Sequence, residues 1–308
     1  MSLSNQPIVK VRNFFMWILG IIALFHIFVI DFISMRVEIT EAGKWKFIWD
    51  DSVNSEIIQL IWYVSLVVVI GFVLFEILSR FSSPSFQEDF KERQLFYFLS
   101  WFGVIQLFSP YIVGYLDKFM KTGLDSGTAF TSFRNIVVAL VIIILFRKNL
   151  SLIGVNRPNS YRRLILGIVL GYIALVIFVN NLVGKTIQPM LPIELYSSRE
   201  ELIQESAESY LMQTFISGVI IAPIVEELIY RGVFQTYFVK RLGAFIGVLL
   251  SSLAFAVMHS DPAVLLVHFS MGIVYGVSRL YTNCIWLPII LHMLNNFFAF
   301  ISSFQHLF

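Results

Sequence analysis

Apolar residues in this chain fall into long blocks bounded by charges or turn residues, and several blocks approach the roughly 20 residues that a helix needs to cross a bilayer. The blocks lie at about 14–30, 57–78, 95–116, 133–146, 164–183, 215–239, 245–258, 264–280 and 285–303. The block at 133–146 is short, and those at 264–280 and 285–303 are separated by only a few residues, so the pattern predicts an all-α, polytopic transmembrane bundle of eight or nine spans. The first block follows Lys10 and Arg12, but no small-residue cleavage site comes after it, and it reads as a retained anchor. Two regions are expected: 1–210, with the N-terminal helices and an acidic segment at 194–208 read as an amphipathic helix, and 211–308, where the polar residues inside spans concentrate.

Composition supports lipid as the solvent. Of 308 residues, 57% are hydrophobic and 14% charged, against about 25% charged in ordinary soluble domains. The near balance of charge and the lack of a long basic run leave no signature of a nucleic-acid partner. A single cysteine, Cys284, excludes an intrachain disulfide and any multi-cysteine metal site. Cytoplasmic loops carry an excess of Lys and Arg. Placing the N-terminus inside puts Lys10, Arg12, Arg80, Lys91, Arg93, Arg147, Lys148, Arg157, Arg162, Arg163, Lys240, Arg241 and Arg279 on the cytoplasmic side, and leaves Arg36, Lys44, Lys46, Lys118, Lys121, Arg134, Lys185 and Arg199 outside. The expected location is an integral protein of a bacterial plasma membrane with its N-terminus in the cytoplasm.

Ionisable residues inside membrane helices are costly, and they normally face the bundle interior or a water-filled cavity. The sixth block holds Glu226, Glu227 and Arg231 within six residues. Glu227 and Arg231 are four apart, share a face and are placed to pair; Glu226 is turned about 100° away and points elsewhere. Pro223, lacking an N–H, loosens the turn before them. His259 ends the seventh block before Ser260-Asp261-Pro262, and His292 and Asn296 share one face of the last. A bland alternative places the charges at the solvated ends of two shorter helices, but the cluster is flanked by apolar residues on both sides. The other polar residues read as structural: His26 and His268 as packing, His306 as exposed, Glu76 as snorkelling to the interface, Asn295 as packing.

A carboxylate, two imidazoles and an amide on three late helices suit peptide hydrolysis, which needs an activated nucleophile, a proton shuttle and an oxyanion donor. There is no His-Glu-x-x-His zinc-protease pentapeptide. Nor is there a serine-protease setting around Ser217 or a Gly-Asp pair of the aspartyl type.

Glu226-Glu227-x-x-x-Arg231, Phe255-x-x-x-His259 and His292-x-x-x-Asn296, with Ala222-Pro223 and Gly232 beside the first, resemble the three ordered motifs of the CAAX protease and bacteriocin-processing (CPBP, or Abi) family of membrane proteases. The resemblance covers residues 222–296; the rest matches only as hydrophobic helices. It implies an intramembrane endopeptidase in which Glu226 and His259 activate water, His292 and Asn296 stabilise the oxyanion, and Glu227 with Arg231 forms a structural pair near the site. The family has been described both as metalloproteases and as metal-independent glutamate proteases. The expectation here is no cofactor, with zinc on Glu226, His259 and His292 as the alternative. Its substrate would be a membrane-embedded or lipid-anchored peptide. A competing reading is a non-catalytic immunity or scaffold protein of the same fold. A transporter with a Glu226–His259 proton relay would show repeated halves, and none is found.

Overall fold

A computed structural model describes residues 7–25, 35–50, 55–79, 92–120, 126–194, 210–259 and 261–304. The acidic segment read as an amphipathic helix, together with His26 and His306, lies outside the described residues apart from Glu194. The chain is an all-α polytopic protein. Its helices are α1 (Pro7–Phe25), α2 (Ser55–Leu78), α3 (Glu92–Met120), α4 (Ser126–Phe146), α5 (Tyr161–Met190), α6 (Leu211–Val257), α7 (Leu265–Thr282) and α8 (Trp286–Phe304). Seven of these, all but α7, are long and apolar enough to cross a membrane. The 47-residue α6 breaks at Gly243, whose φ of 84° is one that glycine adopts without steric cost. It therefore divides into the two blocks separated in the sequence. Residues such as Leu60, Tyr63, Val67 and Ile70 of α2 are exposed, as a lipid-facing surface requires.

Two parts share one continuous hydrophobic core. In the first, α1 lies against α2 and α3, with Met16, Leu19, Val69, Phe72, Phe98 and Leu99 buried between them. Ser100 Oγ on α3 donates to the Met16 carbonyl of α1 at 2.8 Å. Glu76 was expected to snorkel from the end of its span; its side chain is instead fully buried, 3.8 Å from Arg12 Nε, and accepts a hydrogen bond of 2.7 Å from the Tyr97 hydroxyl. An unpaired carboxylate in apolar surroundings is costly, and partners from α1 and α3 remove the need to reach water.

In the second part, α6 packs on α7, and α8 packs on α5, α6 and α7. A Cβ on Gly272 would lie 2.8 Å from Ser252 Cβ, so only glycine lets α7 approach α6 this closely. Two π-helical stretches, Ile216–Ile221 and Leu228–Phe234, flank Ala222–Glu227; such widened turns recur at functional sites.

α4 starts at Ser126, so Arg134 lies within a helix. The sequence block at 133–146 missed the first two turns because Thr128, Thr131 and Ser132 dilute the apolar signal. An antiparallel hairpin, β1 (Met35–Ile39) and β2 (Trp45–Trp49), stands between α1 and α2 and was not anticipated. Trp45 N donates to the Pro192 carbonyl and Glu194 N to the Trp45 carbonyl, both at 2.8 Å. Gln188, next to that strand-like stretch, donates through Nε2 to the Ala263 carbonyl. The hairpin is thereby tied to the turn between α6 and α7.

Candidate active site

The polar residues of α6 and α8 form one connected set. Glu227 and Arg231 are fully buried and 3.1 Å apart, and Arg231 also donates to the Gly272 carbonyl at 3.1 Å. The Arg231 guanidinium lies 4.5 Å above the Phe255 ring and 5.2 Å from that of Tyr275, so aromatic faces supply the rest of its surroundings. His292 stacks on Tyr275 with ring centres 4.8 Å apart. Its Nδ1 is 2.9 Å from Glu227 Oε1, and its Nε2 is 3.8 Å from Glu226 Oε2. His292 thus joins the two glutamates. Asn296 donates through Nδ2 to the Gly218 carbonyl at 2.9 Å, which ties α8 to the first π-helical stretch.

Glu226 differs from its neighbour. Its side chain is 27% exposed, whereas that of Glu227 is 0%. It opens onto a cavity of about 320 Å³, which it lines together with Phe102, Gln106, Arg134, Asn135, Ile229, Tyr230, Met258, His259, Asp261, Val264 and His268. Of the four residues expected at the catalytic centre, Glu226 and His259 line this space. His292 sits behind Glu226, and Asn296 is held at Gly218.

The tautomer of His259 follows from its contact. Nδ1 lies 2.8 Å from the Phe255 carbonyl; a carbonyl only accepts, so Nδ1 carries the proton and a neutral ring keeps Nε2 as a basic acceptor. His268 is arranged the same way, with Nδ1 3.1 Å from the Val264 carbonyl. The two imidazoles are stacked at 3.8 Å with 17° between planes. Sequence reasoning assigned His268 to packing; the structure places it in the cavity wall against His259. Its only sequence signal was a histidine in an apolar helix, which does not say which face it occupies.

Among the described residues, no group of three or more His, Cys, Asp or Glu is placed to hold a metal ion. The alternative zinc set of Glu226, His259 and His292 is not gathered into such a group, and His292 does not line the cavity.

Comparison with known proteins points the same way as the motifs. Residues 208–298 match the family model described as type II CAAX prenyl endopeptidase Rce1-like. The chain is 23% identical over 171 residues to a putative membrane peptidase, YdiL, of Bacillus subtilis, covering 55% of this chain and 69% of the relative. It is 35% identical over 112 residues to the membrane-embedded CAAX protease MroQ of Staphylococcus aureus, covering 34% of this chain and 44% of the relative. An uncharacterized 24.3 kDa protein of Escherichia coli is 30% identical over 117 residues, 36% of this chain and 52% of the relative. The chain thus spans about half the length of the last two. No solved structure matches it.

Proposed function

We propose, from the match of residues 208–298 to the type II CAAX prenyl endopeptidase Rce1-like model, that the protein is an intramembrane endopeptidase that uses Glu226 as general base and needs no metal. The observation that carries this reading is the contrast within one dipeptide: Glu227 is locked to Arg231 and His292, while Glu226 is turned into a cavity that His259 also lines.

In this reading a water held between Glu226 and His259 Nε2 gives its proton to Glu226, and the resulting hydroxide adds to the scissile carbonyl carbon. Asn296, with one amide hydrogen held by the Gly218 carbonyl, offers its second to the oxyanion; His292, whose Nδ1 donates to Glu227, assists there through Nε2 only when both ring nitrogens carry protons. Collapse of the tetrahedral intermediate breaks the C–N bond. Glu226 returns its proton to the leaving nitrogen, yielding a carboxylic acid and an amine, which become carboxylate and ammonium by proton transfer. Glu227 and Arg231 act by holding His292 and the helix. The substrate is a membrane-embedded or lipid-anchored peptide.

The same reading takes its orientation from the basic residues, which favour the cytoplasmic side. Arg241 pairs with Glu92 at 3.1 Å, Thr236 donates to the Leu152 carbonyl, Ile285 N to the Gly154 carbonyl and Trp286 Nε1 to the Asn156 carbonyl. These gather the basic stretches at 147–163 and 240–241 at one end, while the turn holding Asp261 is at the far end of the helical arm that follows Gly243. With the basic end in the cytoplasm, the cavity lies toward the outer face of a bacterial plasma membrane.

The test is to compare membrane peptides from cells carrying wild-type protein with those from a Glu226→Ala strain. Peptides that accumulate uncut in the variant support the protease. Identical peptides with an unchanged phenotype would favour the non-catalytic immunity or scaffold reading. The metal question is separable: purified protein stripped of metal is expected to keep its activity, and near-unit zinc that tracks activity would overturn the metal-free assignment.

A further inference from the structure

One imidazole in the cavity wall has no part in the chemistry above and belongs to none of the three motifs. His268 lies on α7 and lines the same cavity as Glu226 and His259. The two histidines stand differently in the backbone. α6 ends at Val257, and His259 N reaches back three residues to the Ala256 carbonyl at 3.2 Å. That is a 3₁₀-type bond at the end of a helix, where chains fray. His268 lies within α7, and its backbone N and its ring Nδ1 both donate to the Val264 carbonyl, at 3.0 and 3.1 Å. Two bonds to one oxygen fix this ring to its own helix.

Resting on the protease reading, we propose that His268 is a positioning residue of the active site: stacked on His259, it fixes the plane of that ring and with it the direction of Nε2. The hydrogen bond from His259 Nδ1 to the Phe255 carbonyl, at 2.8 Å, sets the tautomer and holds one point of the ring. A plane needs a second contact. The His268 face supplies it at 3.8 Å with 17° between rings, and the Phe255 ring meets His259 edge-on at 4.7 Å and 70°. His268 thus acts through His259 and not on the substrate, and the flat face of its ring matters more than its free nitrogen. A phenyl ring at 268 keeps the face and loses the bond to Val264; leucine loses both.

Two readouts test this, one of them independent of cleavage. In kinetics with a membrane peptide, His268→Leu is expected to lower kcat about two- to ten-fold with KM nearly unchanged, and His268→Phe to recover most of the loss. On a His259→Ala background His268→Leu should cost nothing further, because the residue through which it acts is gone. A loss with Phe equal to that with Leu, or a further loss on the His259→Ala background, overturns the assignment and gives the role to the His268 nitrogen. An unchanged rate for His268→Leu overturns it in favour of packing. The second readout is the His259 ring itself, followed by NMR in isotope-labelled protein in lipid nanodiscs and identified by its loss in His259→Ala. It should show one tautomer, protonated at Nδ1, in wild type and in His268→Phe, and a mixture of both in His268→Leu. A single unchanged tautomer in His268→Leu overturns the proposal whether or not the protein cleaves. The expected mixture in a protein that cleaves nothing keeps the ring contact and sinks the protease reading.

Discussion

Among the described residues of this membrane protein, two arginine–glutamate pairs lie fully buried, one in each part of the chain, and they differ in what stands beside them. Arg12 and Glu76 join α1 to α2 at 3.8 Å, with the Tyr97 hydroxyl on the carboxylate. Glu227 and Arg231 pair at 3.1 Å along α6, with His292 on the carboxylate. Tyr97, which caps the first, packs edge-on against Phe72 in the core; the second backs onto Glu226, which opens into the cavity. The lesson is that a buried charge is not itself a mark of chemistry. What distinguishes the second region is a second carboxylate left accessible because its neighbour has taken the structural role.

Several substitutions sharpen this contrast. The largest effect is expected at the cavity: His259→Ala should lower cleavage by about 100- to 10,000-fold, the usual span for a residue acting in acid–base catalysis, with protein level unchanged. Purified protein and a membrane peptide substrate suffice to measure it. Breaking either buried pair should act on stability instead. Glu76→Ala and Glu227→Ala each strand a buried arginine, at about 3–5 kcal/mol, and should reduce abundance and melting temperature. The comparison divides them: surviving Glu76→Ala protein should cleave at the wild-type rate per folded molecule, whereas Glu227→Ala should not, because His292 loses its anchor. Equal specific activities would show that the second pair is as remote from the chemistry as the first. A smaller effect is expected for His268→Leu, which removes a ring stacked on His259. Aromatic pairs contribute about 0.5–1.5 kcal/mol, so cleavage should fall by up to roughly ten-fold; an unchanged rate would return His268 to packing.

Much of this arrangement was legible in the sequence, and the rest was hidden for identifiable reasons. Helices in lipid announce themselves by length and hydrophobicity, and spacing along one helix shows which residues share a face. That is why the Glu227–Arg231 contact and the separate direction of Glu226 could be read from a four-residue interval. Contacts between helices leave no such interval: Glu76 gave no hint of Arg12, and His268 none of His259 across the Asp261-Pro262 turn. Arg134 was counted with the outer loops because polar residues obscured the start of α4. The hairpin was missed although Met35–Ile39 alternates charged and apolar residues and Gly43 has a turn-forming φ of 72°. Its short strands were overshadowed by the spans on either side.

Orientation is checked by cysteine accessibility on a Cys284→Ser background. A cysteine at 156 should resist an impermeant reagent applied outside intact cells, and one at 262 should react. The reverse pattern would place the cavity toward the cytoplasm.

The most direct measurement of the central claim is a side-by-side assay of wild type, Glu226→Gln and Glu227→Gln, scoring thermal stability and cleavage of one membrane peptide in the same lipid. Glu226→Gln keeps the size and hydrogen bonding of the side chain but removes the base. It is predicted to melt like the wild type and to lose cleavage by at least about 100-fold, while Glu227→Gln is predicted to melt lower. Full cleavage by well-folded Glu226→Gln protein would contradict the account.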